Sequence, residues 1–265
     1  MYTEYWNLTA MPFDNAADSA FFFQSSGHQE AITRMSFGIQ THKAIVVVTG
    51  DYGAGKTMVC ETVVKRLPAN QYKVAYITNP RMDSIDLTRE IVFQLGDDVP
   101  SRSNYEVFHA LNNLLDRHAA TGKHCVAIVD EAQNIMNQTV LEDLRLLLNH
   151  QVNGRLVLTL VLVGQTEFGD MLRSIPQMVQ RIGLKFHIPH LQAEEVGKYM
   201  AHRLEVAGGS LAIFEPAAIQ EIASVSKGNP REINALADLC LLVGALTGKK
   251  TIGIEDVLEA RKERA

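Results

Sequence analysis

Continuously apolar, largely β-branched runs alternate with helical patterns in the first 190 residues, and this alternation restricts the fold more than any other feature. The runs are AIVVVTG at 44–50, KVAYITN at 73–79, CVAIVDE at 125–131, LVLTLVLVG at 156–164 and LKFHI at 184–188. Helical periodicity separates them at 28–40, 56–67, 84–95, 105–120 and 138–150. Strands that are apolar on both faces are typical of a parallel sheet covered by helices. The pattern therefore predicts an α/β fold.

After residue 190 the periodicity is helical only. It covers about 193–207, 216–225, 230–247 and 255–263. A run of helices after an α/β segment predicts a second, smaller domain. We therefore predict an α/β domain at 1–190 and an all-helical domain at 191–265, with the boundary near Pro189–Gln192.

Composition points to a cytoplasmic protein without direct membrane insertion. The 265 residues carry a formal net charge of −5, so the chain is not a basic module. Cys60, Cys125 and Cys240 lie far apart in apolar stretches, which predicts buried, reduced thiols. The chain opens with MYTEYWNLT, which has no signal-peptide pattern. The apolar run at 156–164 is too short to span a bilayer.

The loop after the first run matches the pattern G-x-x-x-x-G-K-[ST] between a buried strand and a helix. Backbone N–H groups of such a loop cradle phosphate oxygens, and the helix N-terminus adds its positive dipole end. The Lys would reach the β- and γ-phosphates of ATP, and the Thr hydroxyl would bind Mg²⁺. The predicted nucleotide-binding residues are Gly50, Asp51, Tyr52, Gly53, Ala54, Gly55, Lys56, Thr57 and Met58.

Two adjacent carboxylates, Asp130 and Glu131, end the buried run at 125–131. Ligands bind at the carboxyl ends of strands in open α/β sheets. Asp130 is placed to hold Mg²⁺ together with Thr57, and Glu131 to polarise a water that attacks the γ-phosphate. The chain is therefore predicted to be an Mg²⁺-dependent ATPase that produces ADP and phosphate.

Polar residues also end two further strands. Asn79 could hydrogen-bond Glu131 and hold it away from the water until a ligand arrives, although Asn before Pro80 is equally typical of a plain turn. Gln165 would face the γ-phosphate, and its alternative is a loop residue without a role. Both are retained as candidate catalytic residues.

Three arginines are candidates for positive charge near the γ-phosphate. Arg181 and Arg173 follow the fourth run, and Arg181 is preferred because it ends a short helix at the edge of the domain. Arg231 lies in the first turn of a helix that begins after Asn229, where the dipole disfavours a cation. Bound ATP would offset that cost, so we predict that Arg231 senses nucleotide; its alternative is a surface arginine.

These motifs resemble the AAA+ ATPases, in particular the general secretion pathway protein A (ExeA) group and its relatives among transposition ATPases of the TnsC, TniB and MuB type. The segments that carry the resemblance are the opening YWNLTAMPF and FFFQSSGHQEAI, then VDEAQN, VGQTEF, VQRIGLKFHIPHL and SKGNPREINALAD. They run over essentially the whole chain. GNPREIN together with the opening segment is more specific than the two phosphate-site motifs.

The resemblance implies a five-stranded parallel P-loop core with strand order 5-1-4-3-2, followed by a helical lid. It also implies that nucleotide is bound between neighbouring subunits of a ring or filament, with Pro12 and Phe13 lining the adenine pocket. Secretion ATPases of this type carry a membrane segment and a cell-wall-binding domain after the lid, whereas this chain ends at EARKERA. That difference favours a free-standing cytosolic ATPase.

Three functions fit the sequence. The first is an oligomeric ATP-driven switch whose client is a protein assembly, such as a secretion or pilus component. The second is a regulator of transposition that assembles on duplex DNA with ATP and recruits a transposase; the acidic net charge weighs against it. The third is a nucleotide-binding scaffold with little hydrolysis, against which Glu131, Lys56 and Arg181 argue.

Overall fold

The apolar runs form one parallel five-stranded sheet in the computed structural model, which describes residues 2–15 and 18–263. Its strands are β1 (Ile45–Gly50), β2 (Tyr72–Ile77), β3 (His124–Val129), β4 (Leu158–Gly164) and β5 (Ile182–Ile188). Their order across the sheet is β2-β3-β4-β1-β5, and all neighbours pair in parallel. Read from the other edge this is 5-1-4-3-2, so the predicted fold class is confirmed.

Helices occupy the segments whose periodicity predicted them, and two helices that were not predicted, at Tyr2–Tyr5 and Thr166–Arg173, are added. They are α1 (Tyr2–Tyr5), α2 (Ser26–Gln40), α3 (Lys56–Arg66), α4 (Ser84–Leu95), α5 (Asn104–Ala120), α6 (Gln138–Leu147), α7 (Thr166–Arg173), α8 (Pro176–Val179), α9 (Ala193–Val206), α10 (Pro216–Ser226), α11 (Pro230–Leu246) and α12 (Ile254–Glu263). The structure adds a hairpin of Gln151–Val152 and Arg155–Leu156, which the sequence analysis did not predict.

The chain divides into two compact units. The first unit comprises the described residues of Met1–Gln29 and Pro189–Ala265 together with Gly53–Met58. The second unit comprises Glu30–Tyr52 and Val59–Ile188. The opening segment, which the sequence analysis assigned to the α/β domain, thus belongs to the same unit as the C-terminal helices.

The core of the second unit is the sheet and the helices that cover it. Every residue of β1, β3 and β4 is buried, as continuously apolar strands require. α4 presents Leu87, Ile91 and Leu95 to this core, at the spacing that lies along one face of a helix. Gly96 ends α4 in the left-handed conformation, φ 106°, which glycine adopts without steric cost.

Aromatic residues of the opening segment help to form the core of the first unit. The Trp6 Nε1–H donates to the carbonyl oxygen of Leu241 at 2.8 Å. The rings of Phe13 and Phe214 meet edge-on with centroids 6.1 Å apart. The buried Arg203 guanidinium donates through Nη2 to the carbonyl oxygen of Asp14 at 2.6 Å. The opening segment is therefore fixed by both apolar and charged contacts.

No helix in residues 2–15 and 18–263 is both long enough and apolar enough to cross a membrane. Within the same residues, no three His, Cys, Asp or Glu side chains are grouped as metal ligands. The three cysteines are buried and form no disulfide, as predicted.

Candidate nucleotide-binding site

The phosphate-binding loop has the backbone conformation that its glycines permit. Gly53 and Gly55 take φ values of +83° and +78°, in the left-handed region that L side chains rarely adopt. α3 begins at Lys56, directly after the loop, and Lys56 is buried. Thr57 follows in the first turn. The loop therefore ends at a helix N-terminus, where backbone N–H groups and the helix dipole favour an anion.

Arg231 lies beside this loop in the first unit. A Cβ atom added to Gly53 would lie 2.6 Å from the Arg231 Cβ and 2.8 Å from the Asn229 Oδ1. Asn229 caps α11, because its Oδ1 accepts from the Arg231 N–H at 3.0 Å. The first turn of α11 is thus packed on the loop at a position where only glycine fits. The structure brings together the loop and the arginine that the sequence analysis predicted to sense nucleotide.

His28 is a second residue that contacts the loop, and the sequence analysis did not identify it. Its Nε2 lies 2.9 Å from the Ala54 carbonyl oxygen, and its Nδ1 lies 2.7 Å from the Ser25 Oγ. Burial lowers the pKa of His28. The available signal was the spacing Ser25-x-x-His28 at a helix start, because the Ser25 Oγ also accepts from the His28 backbone N–H.

In the second unit, Asp130 follows β3 and is 1% exposed. Its Oδ2 accepts from the Tyr76 hydroxyl at 3.2 Å, and its Oδ1 accepts from the Glu131 backbone N–H at 2.8 Å. Burial raises the pKa of Tyr76, and the neighbouring Cys60 and Asp130 raise it further. Tyr76 therefore stays protonated and donates to Asp130. The position and the oxygen atoms of Asp130 suit a hard cation such as Mg²⁺.

Glu131 has φ +52°, an uncommon left-handed conformation for a residue other than glycine. Its carboxylate accepts from the Gln133 side-chain amide, and the Gln133 Oε1 accepts from the Gln165 backbone N–H at 3.0 Å. Gln133 thus connects the two candidate residues that follow β3 and β4. Strained backbone of this kind is found preferentially at functional sites.

Asn79 does not make the bond that was expected of it. Its Oδ1 accepts from the Arg81 backbone N–H at 3.4 Å. Among the residues that the structure describes, no hydrogen bond joins Asn79 to Glu131, and Gln133 contacts the Glu131 carboxylate instead. This short-range bond to Arg81 is the turn geometry typical of Asn before Pro.

The loop residues that belong to the second unit occupy the end of β1. Gly50 is the last residue of the strand. The Asp51 Oδ1 accepts from the Thr166 hydroxyl at 2.6 Å, which ties the loop start to the N-terminus of α7. The Tyr52 side chain is 57% exposed. In the first unit, Ala54 is buried and Met58 is half-buried.

Arg181 lies between α8 and β5, just after the short helix that it was predicted to end, and its guanidinium donates to the Asn149 side chain. Arg173, in the last turn of α7, pairs with Asp170 on the same helix and is exposed. An i,i+3 ion pair at the surface contributes little to stability, so the Arg173 guanidinium can leave Asp170 at little cost in free energy.

Pro12 and Phe13 are both buried in the first unit. Phe13 packs edge-on against Phe214, and the Pro12 carbonyl oxygen accepts from Arg203. Arg203 also lies over the Phe21 ring, 5.1 Å from its centroid. Arg203 is a further residue that sequence reasoning missed, because its partners lie about 190 positions away in the chain.

Comparison with known proteins agrees with this geometry. Residues 39–172 match the family model described as "AAA domain". General secretion pathway protein A of Aeromonas hydrophila is 35% identical over 267 residues, which cover 99% of this chain. The match covers 48% of that relative, so this chain spans about half of its length.

Solved structures share the fold at lower identity. The Aeropyrum pernix ORC2 protein in its ADPNP-ADP complexes has a TM-score of 0.69 at 19% identity, covering 95% of this chain and 71% of that one. Cdc6p of Pyrobaculum aerophilum has a TM-score of 0.66 at 15% identity, and the match covers 94% of this chain and 71% of that one. The Thermotoga maritima RuvB Holliday junction branch migration motor has a TM-score of 0.61 at 18% identity. The match covers 92% of this chain and 72% of that one.

The likeness to these structures shows the fold alone, whereas the family model covers half of the chain and includes the phosphate-binding loop, Asp130 and Gln165. The chain belongs to the AAA domain family.

Proposed function

We propose that this protein binds and hydrolyses ATP and acts as an oligomeric molecular switch that drives or regulates a partner assembly. The observation that carries the proposal is the loop between β1 and α3. Two of its glycines are held at positive φ, and α3 begins at its lysine. Such a loop presents N–H groups to an anion of the size of a phosphate group.

Each residue has a role in this proposal. Lys56 neutralises the β- and γ-phosphates, and Thr57 and Asp130 hold Mg²⁺, which supplies positive charge to the phosphates when it is bound. Glu131 orients and polarises the attacking water, with Gln165 as an additional polar contact. The Gln133 contact with Glu131 supports this assignment, because it fixes the carboxylate next to the end of β4.

Two arginines are proposed to respond to nucleotide in different ways. Arg231 senses it within the same subunit, and the packing of its Cβ against Gly53 supports this role. Arg181 acts on the nucleotide of a neighbouring subunit, supported by its position next to β5, the edge strand of the sheet. Asn79 remains a proposed polar contact of Glu131 in a nucleotide-bound state.

We further propose that two parts of the chain have different functions. In this proposal residues 1–190 act as the nucleotide-binding domain and residues 191–265 as the helical lid. The opening segment packs with the lid helices, and Pro12 and Phe13 lie against the adenine. The subunits assemble into a ring or filament in the cytoplasm. The client is a protein, and the similarity to general secretion pathway protein A favours a secretion component over a transposase or duplex DNA.

Isothermal titration with a non-hydrolysable ATP analogue and Mg²⁺ tests the nucleotide site. Lys56→Ala removes the buried charge at the start of α3, and we expect it to abolish measurable binding. Lys65→Ala, in the last turn of the same helix, is the control, because Lys65 is exposed and pairs only weakly with Glu61. Equal affinity of both variants would exclude the loop as the site.

Negative-stain imaging with ATP, with and without duplex DNA, tests the assembly. Rings or filaments that form without DNA support the switch with a protein client. Filaments that form only with DNA would replace it by the DNA-dependent alternative. Particles that remain monomeric under both conditions would contradict the oligomeric switch.

A further inference from the structure

The contact between His28 and the phosphate-binding loop has a defined hydrogen-bond polarity. The Ala54 carbonyl oxygen, 2.9 Å from the His28 Nε2, can only accept. Burial lowers the pKa of His28, so the imidazole is neutral near pH 7 and carries its single proton on Nε2. Nδ1 is then an acceptor and receives the hydroxyl hydrogen of Ser25, whose Oγ lies 2.7 Å away.

This tautomer fixes the orientation of one peptide plane in the loop. The Ala54–Gly55 peptide is trans, so its C=O and N–H groups point in opposite directions. Because the carbonyl points at His28, the Gly55 N–H points away from it. A flip of the same plane would turn the carbonyl oxygen to the side that the N–H now faces.

The position of His28 is itself fixed within the first unit. Its ring packs edge-on against Phe22, with centroids 5.1 Å apart. At the start of the same helix, the Ser26 backbone N–H donates to the Glu195 Oε1 at 2.9 Å. Glu195 lies in the first turn of α9, where its Oε2 accepts from the Gln192 backbone N–H at 3.1 Å. Phe22 and the Ser25 hydroxyl thus hold the imidazole, and Glu195 fixes the start of α2 that carries it, so the ring has little freedom to follow a flipping carbonyl.

We propose that His28 is a positioning residue for nucleotide binding: its Nε2–H holds the Ala54 carbonyl and thereby keeps the Gly55 N–H directed at a phosphate oxygen of the nucleotide. This inference rests on the proposed function of the loop. It assigns to His28 no contact with the nucleotide. A flipped peptide would disfavour phosphate binding in two ways. The Gly55 N–H donor would be lost, and the Ala54 carbonyl oxygen, with its partial negative charge, would face the anion.

Three variants separate the hydrogen bond from simple packing, with affinity for a non-hydrolysable ATP analogue as the readout. His28→Leu keeps much of the buried volume and removes the donor, and we expect affinity to fall about ten- to hundred-fold. His28→Gln retains a side-chain N–H donor and should stay within about threefold of the wild type. His124→Leu is the matched control, because His124 is also buried and bonds Thr159.

Thermal unfolding and Lys56→Ala are measured in parallel. If His28→Leu and His124→Leu lower the melting temperature but neither changes affinity, the role of His28 is structural and the inference is overturned. Equal loss of affinity in His28→Leu and His28→Gln would also overturn it. If Lys56→Ala binds as well as the wild type, the proposed function itself fails, and the inference fails with it.

A measurement on the wild-type protein covers the case in which the variants do not fold. Nitrogen-15 chemical shifts of histidine distinguish the two neutral tautomers. Ser25→Ala, which leaves the His28 ring in place, identifies the His28 signals by the change at Nδ1. We expect the Nε2–H tautomer in the folded protein. The Nδ1–H tautomer, or a charged imidazole at pH 7, would overturn the inference because Nε2 could then not hold the carbonyl as described.

Discussion

Gly53 and Arg231 are packed so closely that a Cβ on the glycine would lie 2.6 Å from the Cβ of the arginine. Real Cβ atoms do not approach other heavy atoms to this distance, so the contact requires glycine whatever the neighbouring side chains are. The loop between β1 and α3 and the first turn of α11 are therefore fitted to each other through backbone and Cβ atoms, before any charge interaction of Arg231 is considered.

Gly53→Ala should destabilise the protein more than a positive φ alone explains. The variant combines the left-handed strain, about 1–2 kcal/mol, with the clash against Arg231 and Asn229. Gly122→Ala is the matched control, since Gly122 has φ +74° and no heavy atom within 4 Å of the added Cβ. Urea unfolding should give a larger loss for Gly53→Ala. Equal losses would mean that the loop and α11 separate easily in solution.

Glu131→Gln should bind the ATP analogue normally but hydrolyse ATP at least about 100-fold more slowly, because an amide cannot polarise the attacking water as a carboxylate does. Gln can keep the contact with Gln133, so the local backbone at φ +52° should be preserved. Single-turnover hydrolysis measures the effect, and Glu142→Gln on the exposed side of α6 is the control. Wild-type turnover of Glu131→Gln would remove this residue from the mechanism.

The stability of the second unit should fall in acid because of His124. Burial and the neighbouring His42 lower the pKa of His124 to about 3, whereas an unfolded histidine titrates near 6.5. Between these values the unfolded state binds more protons, so stability is full above pH 6.5 and decreases as the pH falls towards 3. The shift corresponds to about 3–5 kcal/mol over the whole window.

His124→Gln provides the comparison for that prediction, because it keeps a polar side chain near Thr159 without a titrating group. We expect the free energy of unfolding to depend less steeply on pH in the variant than in the wild type between pH 6.5 and 4. Titrating groups far from His124 contribute equally to both proteins and cancel in the difference. The ring of His42 stacks on His124 with centroids 3.9 Å apart, so the difference reports the two histidines together. Parallel pH profiles would show that His124 is protonated in the folded state without cost.

The sheet and the main helices were predictable because their signals are local. Strands buried on both faces need unbroken apolar runs, and amphipathic helices need the spacing seen at Leu87, Ile91 and Leu95. The order of the strands came from the resemblance to a known family rather than from these patterns. The hairpin at Gln151–Leu156 escaped prediction because two-residue strands carry no usable periodicity.

The parts of the candidate site that could not be predicted depend on contacts between distant segments. His28 bonds a carbonyl 26 positions later in the chain, and Gln133 bonds a backbone N–H 32 positions later. Neither a histidine nor a glutamine has a preferred spacing from such a backbone partner. The Ser25-x-x-His28 spacing marks a helix start but does not indicate the bond to Ala54. For Asn79 a long-range bond to Glu131 was expected, but a local one is formed instead. Its side-chain oxygen accepts from the Arg81 backbone N–H within the same turn.

The last prediction separates the two arginines assigned to nucleotide sensing. Arg181, acting on a neighbouring subunit, should be dispensable for ATP binding by a monomer but necessary for turnover by the assembly. Its loss should reduce turnover by about 10³-fold or more. Arg231 lies beside the loop of its own subunit, so Arg231→Ala should weaken ATP binding even in a monomer. Arg173→Ala is measured alongside, as the alternative to Arg181.

Mixed assemblies decide between action within a subunit and action on a neighbour. An excess of Lys56→Ala subunits, which lack a working pocket but keep Arg181, is combined with Arg181→Ala subunits, whose pocket is intact. Some interfaces then pair an intact pocket with an intact arginine, and ATPase activity should return. The same excess mixed with Arg231→Ala subunits should give no rescue, because that defect stays with the pocket.

Both mixtures are informative only when co-assembly is verified, for example by pull-down with two different tags. With mixed assembly established, absence of rescue for Arg181→Ala would exclude its action on a neighbouring subunit, and recovery with Arg173→Ala subunits would transfer that role to Arg173. Rescue of Arg231→Ala would mean that this side chain reaches the nucleotide of a neighbour. The packing of Gly53 against the Arg231 Cβ would then serve to hold the loop, while the guanidinium acts on the adjacent subunit.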